Sequence, residues 1–178
     1  MNQYQEWAEK ARSGDAHAFA LLYEKVYRDM YRFALYTLRD ETDAEDAVSE
    51  AVADAYASIR KLRSAEAFKS WIFRILYHKC KDRLKEYTRK HLSLEELESE
   101  PGAEQEADEH YAVRKVFGEL PDTDRLIISM HVFGGYTGRE IAAILKMNPN
   151  TVRTRESRAL KKLAEELENR YGYRSDDL

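Results

Sequence analysis

Cysteine is almost missing from this chain: Cys80 is the sole one in 178 residues. No internal disulfide can form, and a single thiol suits a reducing compartment such as the cytoplasm. Proline and glycine are scarce, at three and seven residues, which disfavours a loop-rich β architecture. No apolar run is long enough to span a membrane, and no secretory signal is expected ahead of the first helix. Strong net charge is lacking too. The formal value of −4 disfavours a nucleic-acid binder until the charges are placed along the chain. Residues 40–58 hold no base. Residues 60–90 hold eleven Lys and Arg against three acids, and residues 95–109 hold eight acids and no base. The length allows one domain or two small ones.

What the sequence has in abundance is helical periodicity, and its most informative stretch is residues 135–163, GYTGREIAAILKMNPNTVRTRESRALKKL. Thr137 and Glu140 have the spacing of a capping box, so a short helix begins near Gly138, with Ile141, Ala142, Ile144 and Leu145 as its apolar stripe. Lys146, Met147 and Asn148 leave room only for a turn. Asn148 can cap the next helix, and Pro149 suits its first position, where no amide donor is needed. The second helix places Val152, Ala159, Leu160, Leu163 and Leu167 on one face. Asn150, Thr151, Thr154, Ser157, Arg158 and Lys161 lie on the opposite face, with Arg153 at its edge. Two helices across a tight turn, the second polar and basic outside, form a helix-turn-helix that can enter a DNA major groove.

Upstream, Gly14-Asp15 precedes a long helix with Phe19, Leu22, Tyr23, Val26, Tyr27, Met30, Tyr31, Ala34, Leu35 and Leu38 at three- and four-residue spacing. Its tyrosines are expected to be core and boundary residues. Thr42 and Glu45 suggest a second capping box. The helix after it turns Ala44, Ala47, Val48, Ala51, Val52, Ala55, Tyr56 and Ile59 inward and Asp43, Glu45, Asp46, Glu50 and Asp54 outward. On spacing alone those acids are equally a solvated face or a docking face for a basic partner. A metal site is disfavoured, because no His stands at ligand spacing.

A basic connector follows at residues 59–67, and Ser64 can cap a third helix with Phe68, Trp71, Ile72, Ile75, Leu76, Cys80 and Leu84 on its buried face. Ser70, Arg74, His78, Lys81 and Lys85 form the other side, with Phe73 and Tyr77 at the border. Aromatic groups beside a basic stripe suit single-stranded nucleic acid, although Trp71 is expected in the core. His78 with Cys80 lacks the second ligand pair that a zinc site needs. Residues 91–108 are acidic, aperiodic after Leu97 and broken by Pro101-Gly102, the pattern of a linker. A fourth helix starts near Glu109 with Val113, Val116 and Phe117 inward. Leu120-Pro121 ends it, Asp122 or Thr123 caps the next, and Leu126, Ile127, Met130 and Phe133 pack that helix on the helix-turn-helix until Gly134-Gly135 stops it. The tail from Gly172 is polar and expected to fray.

In this order the segments resemble the extracytoplasmic-function group of bacterial RNA polymerase sigma factors, over nearly the whole chain. DAHAFALLYEKVYRDMYRFALY at 15–36 is similar to the opening helix of that family's first domain. DAEDAVSEAV at 43–52 is similar to its core-binding helix, usually D-x-E-D-x-x-Q-E-x-F. FKSWIFRILYHKCKDRL at 68–84 is similar to the segment that opens and reads the minus-ten element. Residues 120–163 are similar to the domain that reads the minus-thirty-five element. Ser49 stands where the family usually has Gln, Val52 where it has Phe, and Glu156 where it has an apolar residue. Glu156 projects to the buried side, where an unpaired carboxylate is costly; it is expected at the rim or on a base such as Arg139.

The resemblance implies an all-α chain of two small helical domains, residues 1–91 and 110–178, joined by an acidic linker at 92–109. It implies that Asp43, Glu45, Asp46 and Glu50 hold core RNA polymerase. Lys61, Arg63, Ser70, Arg74, Tyr77, His78 and Lys81 would take the single-stranded minus-ten element. Asn150, Thr151, Arg153, Thr154, Arg155, Ser157, Arg158 and Lys161 would take duplex promoter DNA upstream, with Arg153 and Thr154 reading bases and Arg155, Arg158 and Lys161 contacting phosphates. The linker would thread the polymerase's basic channel, and an anti-sigma factor is an expected partner. No cofactor, metal, membrane insertion or enzymatic activity is expected. The rival is a stand-alone helix-turn-helix regulator, which leaves the face at 43–54 without a role. A metal-dependent nucleic-acid hydrolase is disfavoured for want of a carboxylate-histidine cluster.

Overall fold

The computed structural model describes residues 3–93 and 109–173. The expected linker therefore lies almost wholly outside the described residues, as does the end of the tail. Among the described residues every regular element is helical, and they fall into two compact units. One holds α1 (Gln3–Arg12), α2 (Ala16–Leu38), α3 (Glu41–Ser58), short 3-10 turns at Ile59–Lys61 and Ala65–Ala67, and α4 (Phe68–Ser93). The other holds α5 (Glu109–Gly118), α6 (Asp122–Val132), α7 (Gly138–Leu145) and α8 (Pro149–Tyr171).

In the first unit α2 starts where Asp15 Oδ1 accepts from the Ala18 amide at 3.0 Å. It ends at Arg39, a left-handed C-cap at φ 66°, whose N–H returns to the Leu35 carbonyl. The next residue, Asp40, is extended and accepts from the Asp43 amide at 2.8 Å, so Asp40 caps α3. The capping box expected at Thr42 and Glu45 is thus displaced, and Thr42 lies inside the helix. Both caps satisfy amides that the first helical turn otherwise leaves orphaned. Along α3, Ala44, Ala47, Ala51 and Ala55 are buried with Val48. These small side chains let α2 and α4 approach closely, since interaxial distance follows the residues at the contact. Tyr56 departs from the expected inward face: about half exposed, it meets Phe19 edge-on at 5.2 Å. Phe33, Phe68, Ile72, Phe73, Leu76 and Tyr77 fill the core. Helix α4 does not begin on a Ser64 side-chain cap; the 3-10 turn at Ala65–Ala67 runs directly into it. Helix α1, which was not anticipated although Tyr4, Trp7, Ala8 and Ala11 stand at helical spacing, buries Ala8 and Ala11.

The second unit closes α5 on α8 through Ala112, Val116 and Leu167. Neither Asp122 nor Thr123 caps α6; the N-cap position is Pro121, whose side chain has no acceptor for the first-turn amides. The Asp122 carboxylate instead accepts from Arg125 at 2.8 Å. The Arg125 guanidinium is buried and also donates to the Leu120 carbonyl at 2.6 Å. A cation at the end of α5 complements that helix's dipole and its unpaired carbonyls.

Candidate nucleic-acid interface

The helix-turn-helix forms through local chemistry. Thr137 and Glu140 complete a capping box: the Glu140 amide donates to Thr137 Oγ1 and the Thr137 amide to Glu140 Oε2 at 2.8 Å. Hydrogen bonds from the Thr137 backbone and then its hydroxyl hold the Glu140 carboxyl below its ordinary range. Helix α7 stops at Lys146, left-handed at φ 55°, and Asn148 Oδ1 accepts from the Asn150 amide at 2.9 Å to start α8. Before the motif, the chain turns at Gly134 and Gly135, where Gly135 takes φ 70°.

Helix α8 buries Val152, Ala159 and Leu167. Asn150, Thr151, Arg153, Thr154, Ser157, Arg158 and Lys161 are all exposed. Arg155 is different. Its Nε donates to Asp124 Oδ1 at 2.7 Å, so it also fastens α8 to α6, a role not anticipated for a residue expected among the phosphate contacts. Glu156 has only 17% of its side chain exposed and pairs with His131 Nδ1 at 2.5 Å, so its partner is His131 and not Arg139. Together the two contacts tie α8 to α6 beside the open face. Leu160, expected inward, is exposed.

In the first unit the acidic face divides into two strips. Asp43, Glu50 and Asp54 lean against α4. Lys79 Nζ sits 2.6 Å from Asp54 and 3.8 Å from Glu50. Arg83 Nη2 sits 2.8 Å from Glu50, Arg83 also reaches Asp43, and the Tyr87 hydroxyl donates to Asp43. The Arg83 hydrogen bond is the main cause that holds the Glu50 carboxyl below its ordinary range. Asp43 moves the other way, because burial and then Asp40 raise it more than Arg83 lowers it. Glu45 and Asp46 form the second strip, exposed and with no ion pair among the described residues. Arg83, Lys79 and Tyr87 were not anticipated as partners. Their four-residue spacing, set against 43, 50 and 54, is a signal that could have found them.

Of the residues expected on an unpaired strand, Lys61, Arg63, Arg74 and His78 are exposed. Ser70 is half-buried and donates to the Ala67 carbonyl at 3.1 Å. Tyr77 is a correction: at 2% exposure its ring belongs to the core and is not available for stacking. Phe73 is likewise buried rather than at the border. The half-buried Lys81 ammonium lies 5.7 Å from the Tyr77 ring centroid, a cation–π contact within the unit. Partial desolvation by its neighbours first, then Lys81 and Arg74, lower the His78 pKa and favour a neutral imidazole.

The two units correspond to two known families in chain order. The Sigma-70 region 2 model matches residues 22–90, and the Sigma-70 region 4 model matches residues 110–163. The ECF RNA polymerase sigma factor SigM of Mycobacterium tuberculosis is 30% identical over 154 residues, covering 85% of this chain and 78% of that protein. The RNA polymerase sigma factor SigV of Bacillus subtilis is 32% identical over 137 residues, covering 75% of this chain and 81% of that protein. The fold also matches the structure of CnrH in complex with the cytosolic domain of CnrY. That match has a TM-score of 0.67 at 24% identity and covers 95% of this chain and 99% of that chain. The chain belongs to the extracytoplasmic-function group of RNA polymerase sigma factors.

Proposed function

We propose that this sigma factor works through three surfaces, each built from residues described above. The outer strip of α3, with Glu45 and Asp46 foremost, docks a basic surface of core polymerase, while Asp43 and Glu50 fix that strip to α4. The connector and α4, through Lys61, Arg63, Ser70, Arg74, His78 and Lys81, hold the unpaired minus-ten strand. Helix α8 lies in the major groove of the upstream element. There Arg153 and Thr154 read base edges, Asn150 and Ser157 assist, and Thr151, Arg158 and Lys161 stand beside the phosphates. The observation that carries this reading is the open polar face of α8, tied to α6 through Asp124 and His131.

Family membership supports this function over a stand-alone helix-turn-helix regulator. The chain would act in the cytoplasm and have no enzymatic activity of its own. No helix among the described residues is long and apolar enough to cross a membrane. An anti-sigma factor is a fitting regulator, since another fold neighbour is the sigma factor RpoE in complex with the anti-sigma factor NepR from Bartonella quintana. In vitro transcription from a genomic fragment library with cognate core polymerase tests the whole reading. Promoter-specific transcripts that require this chain support it. Binding to duplex DNA without retention on core polymerase would replace it with the stand-alone regulator.

A further inference from the structure

Helix α1 lies outside the segment matched by the region 2 model, which begins at residue 22. Its contacts nonetheless converge on the basic connector: it packs against α2 and against both 3-10 turns. The connector is pinned from below by Ile59, Leu62 and Ala65, all buried, while Arg60, Lys61, Arg63 and Glu66 remain exposed. Two side chains of α1 fasten its far end. Gln5 Nε2 donates to Glu66 Oε1 at 2.8 Å. The Tyr4 ring meets Phe68 edge-on at 6.2 Å, and Phe68 in turn lies 6.1 Å from Trp71. Burial pushes the Tyr4 hydroxyl up to about 12, so it stays neutral.

Glu66 is the sole acid in the connector. Its carboxyl is held below the ordinary range by its own backbone amide, then by the Ser64 hydroxyl and by Gln5. An unrestrained carboxylate in this loop would repel a phosphate chain lying within a screening length of Lys61 and Arg63. A flexible loop would also lose conformational entropy each time a strand is captured. The contact from Gln5 leaves the Glu66 charge in place but fixes where it stands, and so opposes the second effect.

We propose that α1 is a brace that presets the connector for an incoming unpaired strand, with Gln5 and Tyr4 as its positioning residues. The inference rests on the reading that the connector captures the minus-ten strand. The test uses holoenzyme assembled from the full chain and core polymerase. Its probe is a fluorescent nontemplate-strand oligonucleotide from a promoter recovered in the library transcription above. Gln5→Glu replaces the donor with a like charge on an exposed helix. It should weaken oligonucleotide binding by about tenfold, the size expected when a charge-assisted hydrogen bond becomes a repulsive contact. Core retention and upstream-duplex binding should not change. Glu66→Gln in the same chain should restore binding to the level of Glu66→Gln alone, a reciprocal rescue that a general loss of folding would not give. Parental binding by Gln5→Glu, or weakened binding without rescue, overturns the brace. Lys61→Ala separates the two layers. If it weakens capture while Gln5→Glu does not, only the brace falls; if it leaves capture at the parental level, the strand-capture reading falls and takes the brace with it.

Discussion

The two basic helices, α4 and α8, carry their charge in different ways. On α4, Lys69 pairs with Asp29, Lys79 with Asp54, and Arg83 with Glu50, so much of the positive segment holds its own unit together. On α8, Arg155 is engaged by Asp124, Lys161 lies 3.7 Å from Glu165 and Arg170 pairs with Glu119, while Arg153 and Arg158, on the face proposed to meet DNA, have no ion pair among the described residues. A count of bases along a sequence therefore overstates the field that α4 offers a phosphate chain, and on α8 it is fair only for the stretch around Arg153 and Arg158. It follows that an acid-to-base reversal on α3 has two meanings, according to whether the acid faces α4 or faces out.

The largest effect separates neighbours on α8. Arg153→Ala should weaken upstream-duplex binding by about 1–3 kcal/mol and relax discrimination at one position, if it contacts a base through two hydrogen bonds. Lys161→Ala should weaken all sequences alike and lower the salt dependence. Competition binding across point-substituted duplexes measures both, and unchanged preference in Arg153→Ala removes Arg153 from base reading. Next comes the seam between α3 and α4. Glu50→Lys sets a cation against Arg83 and Lys79 and should lower stability by about 1 kcal/mol, a figure kept small because the pair is half exposed. Asp46→Lys should stay within about 0.5 kcal/mol of the parent in a thermal melt, as surface substitutions do. It should nevertheless lose retention on core polymerase through like-charge contact. A normal melt with full retention would take Asp46 out of the docking strip.

Acid titration gives the smallest and sharpest contrast. Glu50 has its folded pKa depressed, so its contribution is present above the ordinary glutamate value and fades as pH falls through the depressed one. Asp43 has its folded pKa raised, so its contribution is present below the ordinary aspartate value and is lost as pH rises through the raised one. In melts across the carboxylate range, Glu50→Gln should reduce the acid-side loss of stability and Asp43→Asn should increase stability on the neutral side. Equal slopes in both variants would show that the two carboxyls do not differ in this way. Cys80 offers a control, because burial pushes its thiol up to about 12. Thiol reagents should label it only at the rate of unfolding.

What could be read in the sequence was what depends on a few adjacent residues. Thr137 with Glu140 and Asn148 with Pro149 are complete signals within one turn, and the helices they begin are where the pattern placed them. The expected cap at Thr42 is displaced two residues upstream to Asp40, because the left-handed turn at Arg39 starts the helix there. Tyr77 is buried because α4 is packed on more than one side, a tertiary fact that helical spacing does not encode. Tyr56 and Leu160 fail the other way: each is apolar on a helix whose core face is already filled by alanines or by Val152, Ala159 and Leu167. The partners of Glu50, Arg155 and Glu156 lie on other helices. Charge spacing could suggest such pairs, but only the packing selects among the candidates.

Gly134 has a consequence for how this chain can vary by mutation. A Cβ placed there would lie 2.7 Å from the Met130 carbonyl oxygen and 2.7 Å from Cδ2 of the buried Tyr136 ring. The Met130 carbonyl cannot withdraw easily, because it also accepts from the Tyr136 amide at 3.2 Å. At Gly135 the space is open and only the left-handed backbone is demanding, so an asparagine there could be accommodated. Every single-base missense change in any glycine codon introduces a residue with a Cβ. Any missense change at Gly134 is therefore enough to displace the turn into the helix-turn-helix, whichever residue results, while Gly135 leaves room for Asn or Asp.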